Sequence, residues 1–192
     1  MAPPVIRSEE DGVFNFFLVA DANKVYVWDP VLNTKVSELL IDFVSIQSIA
    51  VDKKTKTVFV VDYNAKATGK KYSVYTNNVK IDSSNKTAPV LQYVKDSTTI
   101  VYQSDKIAGI VVDAKDNLLF ISDAQINNII KLNLTADPID NKTGKVIPNP
   151  NKLLAVNKVA IKNVGPLSID VPTQRVFYQA DSNQAGGPAG IS

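Results

Sequence analysis

Carboxylates carry most of the chemistry open to this chain. Seven aspartates, Asp21, Asp52, Asp62, Asp113, Asp123, Asp170 and Asp181, each close an apolar stretch, and six of them pair at offsets of 10, 10 and 11 residues: Asp52 with Asp62, Asp113 with Asp123, Asp170 with Asp181. Such a series suits two roles. Brought together from successive repeats, the carboxylates would ring a divalent cation such as calcium, whose natural ligands are oxygens. Left at its own strand end, each Asp would accept hydrogen bonds from the amides of the following turn. Recurrence in every repeat favours the turn role, because a structural device repeats with the fold. A D-x-D-x-D-G calcium loop does not occur. No cofactor is therefore expected, with a central calcium-like cation as the one candidate.

Composition narrows the chemistry further. The 192 residues contain no histidine and no cysteine, which excludes Ser-His-Asp triads, histidine metal sites, thiolate nucleophiles and disulfides within them. Glutamate is limited to Glu9, Glu10 and Glu38. The formal net charge is +2, and Arg7 and Arg175 are the only arginines. Nucleic-acid surfaces use basic stripes with arginine forks. Here the lysines are scattered, and the densest stretch, Lys66, Lys70 and Lys71, reads as a solvated loop. No nucleic-acid partner follows, and no apolar run approaches the roughly 18 residues of a membrane-inserted helix. The start of the chain, residues 1–12, is polar and Pro-rich without an apolar h-region, and reads as a flexible segment.

The elements that must position these aspartates are strands. Few Glu and many Asp, Asn, Val and Thr disfavour helices. Ile49–Asp52, Ile110–Asp113 and Leu167–Asp170 are apolar strands, each followed by a short polar turn. Second strands then run Val58–Asp62, Leu118–Asp123 and Arg175–Asp181, and Phe16–Asp21 is a partial fourth copy. Third strands are expected at Lys24–Asp29, Tyr72–Tyr75 and Asn128–Leu134. Fourth strands are expected at Val36–Phe43, at Thr98–Tyr102 or Val90–Val94, and at Leu153–Ile161. Polar stretches at Asn77–Ala88 and Asp137–Lys152 read as long loops. Four short strands per unit, with the second-strand aspartates 41, 61 and 58 residues apart, predict an all-β propeller or partial propeller of four-stranded antiparallel blades. The expected blades cover 13–43, 45–105, 106–162 and an incomplete 163–192, about three and a half in all.

At these units the sequence resembles six-bladed propellers of the YWTD and NHL kind. In that pattern Val-Asp is followed by Leu-Tyr-Trp-Thr-Asp and then a third strand. Val112-Asp113, Leu119-Phe120-Ile121-Ser122-Asp123 and Ile129–Leu134 match it best, and Val51-Asp52 with Val58–Asp62 comes next. The Tyr-Trp pair is not kept; Phe stands at the Tyr position three times. Yellow/royal-jelly and gluconolactonase-like propellers are close competitors. The resemblance implies an extracellular or secreted protein. A lactonase-like propeller would carry a Glu, Asn and Asp set around one divalent ion. Glu9 and Glu10 in the tail and Glu38 in an outer strand do not supply it.

A partial ring leaves two open sheet edges, which invite pairing. Either further blades of a longer polypeptide, the favoured expectation, or other copies would complete it. Sequons at Asn85, Asn133 and Asn141 are candidate glycosylation sites, two of them in expected loops. Tyr26 with Trp28, and Phe177 with Tyr178, are expected to pack between blades rather than bind ligand. The resulting reading is a non-enzymatic extracellular binding or structural module that contacts protein or glycan through its loops. Two alternatives stand beside it: a central-channel small-ligand binder or metal-dependent hydrolase, and a structural subunit joined through open blade edges into a ring or filament.

Overall fold

The structure, a computed structural model, describes residues 17–29, 33–39, 42–52, 54–82, 90–94, 97–135, 152–155, 163–170, 172–173 and 175–180. Every regular element among them is a strand, and the chain divides into two compact units, Met1–Asp105 and Lys106–Ser192.

The first unit holds two antiparallel sheets. Strands β1 (Phe17–Asp21), β2 (Lys24–Asp29) and β3 (Thr34–Leu39) form one meander. The second sheet runs β4 (Ile46–Asp52), β5 (Thr57–Tyr63), β6 (Tyr72–Asp82), with both β7 (Val90–Tyr93) and β8 (Thr99–Ser104) laid against β6. Their facing sides make a core of Leu18, Val25 and Val27 against Ile49, Val58 and Val60, with Phe43 and Val79 at its margins. Alternation along each strand puts these residues on one face.

The second unit repeats the plan. Strands β9 (Ile107–Asp113), β10 (Leu118–Asp123), β11 (Asn128–Asn133) and β12 (Leu153–Ala155) form a four-stranded sheet. Strands β13 (Leu167–Asp170) and β14 (Arg175–Tyr178) form a hairpin, and Phe120 and Ile129 pack on Val164 and Val176 between the two. In β5 and β10 the residues of both faces are buried, which is why Val58–Val61 and Leu118–Ile121 read as continuous apolar runs rather than alternating ones.

Two elements depart from the sequence expectation. β3 ends at Leu39, short of Phe43, because the following connector bonds elsewhere: Phe43 N–H donates to Asn23 O at 3.1 Å and Ile46 N–H to Ala22 O at 2.6 Å. β6 continues through Asn77 to Asp82, where a polar loop was expected. Asn77 and Val79 are both buried, while Asn78 and Lys80 are exposed, so an amphipathic strand was hidden in a polar-looking stretch. The longer β6 also accommodates both candidate fourth strands, β8 against Tyr72–Thr76 and β7 against Val79–Asp82. Of the expected strand Leu153–Ile161, β12 covers Leu153–Ala155 and the remainder lies outside the described residues, as do the segment 1–12 and the loop Asp137–Asn151.

The second unit is stitched across its sheets by buried polar contacts. Ser122, fully buried on β10, donates its hydroxyl to Gly165 O at 2.6 Å, and Gly165 N–H donates to Gln179 O at 2.7 Å. A Cβ at position 165 would lie 3.1 Å from Gln179 Cβ and 3.2 Å from Gln179 O, so the close approach favours glycine. Gly165→Val is expected to lower stability by about 1–3 kcal/mol through overpacking. Ser122→Ala is expected to cost about 1 kcal/mol by removing the hydroxyl donor. Urea unfolding of the two variants beside the parent measures both.

Candidate functional site

The strand-end aspartates fall into two sets at opposite ends of their sheets. In the register of the hairpins, Asp52 lies beside the β4–β5 turn while Asp62 pairs with Ile46 at the far end. Asp113 and Asp123 are separated in the same way, Asp123 pairing with Ile107.

Asp52, Asp113 and Asp170 sit before four-residue turns and serve them. Asp52 Oδ1 accepts from Lys54 N at 2.9 Å and Thr55 N at 3.2 Å, and Oδ2 accepts from the Thr55 hydroxyl at 2.7 Å. Asp113 Oδ1 accepts from Lys115 N at 3.0 Å and Asp116 N at 3.3 Å. Asp170 Oδ2 accepts from the Thr173 hydroxyl at 2.5 Å, the counterpart of Thr55. The first two of these turns close through a left-handed residue, Lys56 at φ 55° and Asn117 at φ 55°, a conformation that suits Asn better than Lys.

Asp62 and Asp123 hold equivalent positions and different partners. Asp123 Oδ1 accepts from Gln125 N at 2.9 Å and Ile126 N at 3.2 Å in its own turn. Asp62 Oδ1 reaches back to the connector before its sheet and accepts from Val44 N at 2.9 Å and Ser45 N at 2.7 Å. Asp21 is exposed at the β1–β2 turn. Asp181, and the sequon residues Asn85 and Asn141, lie outside the described residues. Asn133 ends β11 half-buried, its Oδ1 accepting from Thr135 N at 2.9 Å. Among the described residues, no three His, Cys, Asp or Glu side chains gather into a group able to hold a metal ion.

The expected solvated lysine loop is a folded projection. Asn64–Lys71 joins β5 to β6, closed by Asn64 N–H to Lys71 O at 2.8 Å, Ala67 N–H to Asn64 O at 3.1 Å and Lys66 N–H to Asn64 Oδ1 at 3.0 Å. Tyr63 and Tyr72 pair across its base, ring centroids 4.8 Å apart. Burial, with a smaller contribution from Tyr63, raises the Tyr72 phenol above its ordinary value. Lys70 Nζ lies 2.6 Å from Asp105 Oδ2, and that hydrogen bond, ahead of the charge of Lys70, holds the Asp105 carboxyl below the usual aspartate range.

Sequence reasoning passed over Asn77. It is buried on β6, its Oδ1 accepting from the Thr98 hydroxyl at 2.9 Å while Nδ2 lacks a partner. Its one signal was a position two residues before Val79 on an alternating strand. The aromatic pairs divide: Tyr178 joins the core between the sheets, but Phe177 is 49% exposed and does not pack as expected. Tyr26 lies under Lys35, whose Nζ is 4.0 Å from the ring centroid.

No family model matches the sequence, and a search of curated proteins found no match. Among solved structures, the fold is similar to a chain in the crystal structure of a nidogen/laminin complex, with a TM-score of 0.55 and 15% identity, covering 85% of this chain and 52% of that one. It is also similar to an auxiliary nutrient binding protein from Bacteroides thetaiotaomicron, with a TM-score of 0.50 and 8% identity, covering 93% of this chain and 36% of that one. The chain thus spans about half of the first neighbour and about a third of the second. These likenesses, with the succession of antiparallel sheets of up to five strands, define an all-β protein of β-propeller type.

Two outcomes follow from this geometry. Asp113→Ala is expected to destabilise the fold by about 1–2 kcal/mol, because two turn amides lose their acceptor, and Asp113→Asn, which keeps an acceptor oxygen, by less; thermal or urea unfolding ranks the pair. The Asp105 carboxyl titrates below an unpaired aspartate, so its contact with Lys70 is complete above the ordinary aspartate range and is lost as pH falls through its own lower midpoint. NMR titration of the Asp105 carboxyl is expected to show that midpoint, and Lys70→Met to move it upward.

Proposed function

We propose that this chain is a propeller module of the YWTD-like kind that works outside the cell and binds a protein partner through the loop end of its second sheet. One observation carries the reading. The turn between second and third strands takes two residues in the first sheet, Ala22 and Asn23, and four in the third, Ala124–Asn127, but eight in the second, Asn64–Lys71. The sheet pairs without the extra residues elsewhere, so their use is not structural, and loops on rigid scaffolds are where recognition is usually placed.

The projection is pre-shaped by its internal hydrogen bonds and by Lys70–Asp105, which lowers the ordering cost of binding. It exposes Lys66, Lys70 and Lys71 above the Tyr63–Tyr72 pair, which suits an acidic protein surface met by a cationic rim with an aromatic base. The nidogen/laminin neighbour, a chain of the same fold crystallised in a protein complex, supports a protein partner. The sequons at Asn85 and Asn141 would be usable in an extracellular setting, the resemblance to YWTD-type propellers being what favours one.

A photo-crosslinking residue at the exposed Ala65, applied in the extracellular fluid of the source cells, is expected to capture a discrete acidic protein. Lys66→Glu with Lys71→Glu is expected to abolish capture while leaving the unfolding midpoint unchanged. Capture that survives the double charge reversal would remove the loop from the interface. Loss of mass by the natural protein on enzymatic deglycosylation is expected if the sequons are used outside the cell.

A further inference from the structure

The base of the lysine projection is a matched pair of phenols. Tyr63 closes β5 and Tyr72 opens β6, and the two face each other in the antiparallel register. Asn64 N–H donates to Lys71 O at 2.8 Å, while Tyr63 N–H points the other way and donates to Ser45 O at 2.9 Å. Tyr63 and Tyr72 are therefore a non-hydrogen-bonded pair, the class in which opposed side chains come nearest. Their ring centroids are 4.8 Å apart, with the planes inclined at 44°.

The pair is also within reach of solvent. Both tyrosines are half-buried, and the projection above them is exposed at Ala65, Lys66 and residues 68–71. Other tyrosines have neighbours of a different kind. Tyr26 lies under Lys35, Tyr75 meets Phe43 edge-on, and Tyr178 packs against the core of the second unit. None of those neighbours offers a second phenol.

Composition leaves tyrosine as the main oxidisable side chain. Cysteine and methionine sulfur are the groups that oxidants attack most readily. The sequence has no cysteine, one methionine at its first position, and one tryptophan, Trp28, which lies on a different sheet from Tyr63 and Tyr72. Without cysteine the loop has no disulfide to close it. A carbon–carbon tie between the two rings would fix the base of the eight-residue projection as a disulfide fixes a loop, by restricting the unfolded chain.

We infer that Tyr63 and Tyr72 form a site of oxidative coupling, joined into dityrosine by hydrogen peroxide acting through a haem peroxidase. The peroxidase removes one hydrogen atom, as an electron and a proton, from each phenol oxygen. The two radicals then form one carbon–carbon bond between the ring carbons ortho to those oxygens. The hydrogen on each bonded carbon passes to its own ring's oxygen, which restores both phenols. The two hydrogens removed at the start reduce one hydrogen peroxide, whose O–O bond breaks, to two waters. The inference uses the strand register and the two rings alone, so it stands or falls separately from the proposed protein partner.

The test treats the dilute 192-residue chain with a haem peroxidase and hydrogen peroxide, and reads dityrosine fluorescence, intact mass and a tryptic map. The expected product has the mass of one 20.9 kDa chain less two hydrogen atoms. Trypsin cuts the loop after Lys66, Lys70 and Lys71, yet residues 57–66 and 72–80 are expected to stay joined. Tyr63→Phe and Tyr72→Phe, which keep the rings and remove one phenol each, are each expected to abolish that joined pair. Tyr75→Phe, which removes the other tyrosine of residues 72–80, should leave it in place. Absence of dityrosine, or coupling between chains alone, would overturn the inference. So would a single-chain product joined elsewhere, or a joined pair that survives Tyr72→Phe.

Discussion

Strands β5 and β10 are buried on both faces, and most of the architecture answers to that condition. A strand with no face to water must pair its whole backbone within the sheet, and any polar side chain it carries must find a partner there or pay the cost of desolvation. The sheets meet the first requirement with antiparallel neighbours on each side of β5 and β10. They meet the second with a small set of buried polar residues. Asp62 on β5 and Asp123 on β10 each accept at least two hydrogen bonds and Ser122 donates one to Gly165, while Asp52 and Asp113, on the neighbouring β4 and β9, are satisfied in the same way. Asn77 is the exception, half satisfied through Thr98.

This condition also separates what repeats from what does not. The repeated aspartates turn the chain at strand ends, so their recurrence marks the fold. Departures from the repeat lie elsewhere: an eight-residue projection replacing a short turn at Asn64–Lys71, a long β6 that serves two partner strands, and a Phe177 left open where Phe59 and Phe120 are covered. A site grafted on a repeated scaffold is most readily found where the scaffold's own requirements do not explain the residues.

Local chemistry made much of the fold legible. Apolar runs ending in Asp, followed by Lys-Thr-Lys or Lys-Asp-Asn, identify β4–β5 and β9–β10 because the carboxylate, the turn amides and the left-handed residue are within a few positions of one another. Asp62 was less legible. It matches Asp123 in its motif, but its acceptor serves Val44 and Ser45, 18 and 17 residues earlier, a choice that depends on where the connector runs. The end of β3 and the extent of β6 were obscured for the same reason. Phe43 is apolar enough to prolong a strand, and Asn77–Lys80 polar enough to break one, until the neighbouring turn and strands supply their hydrogen bonds.

The sequence by itself determined that the elements are strands, the β4–β5 and β9–β10 hairpins and the turn duty of Asp52 and Asp113, because each rests on contacts among residues close along the chain. Tertiary structure decided which face of each sheet is covered, how the lysine loop is folded against Asp105, and which member of a repeated pair is left open. Phe177 and Phe120 have the same place in their strands. They differ in whether another sheet lies across them, and burial is a property of the space around a side chain, which no local pattern contains.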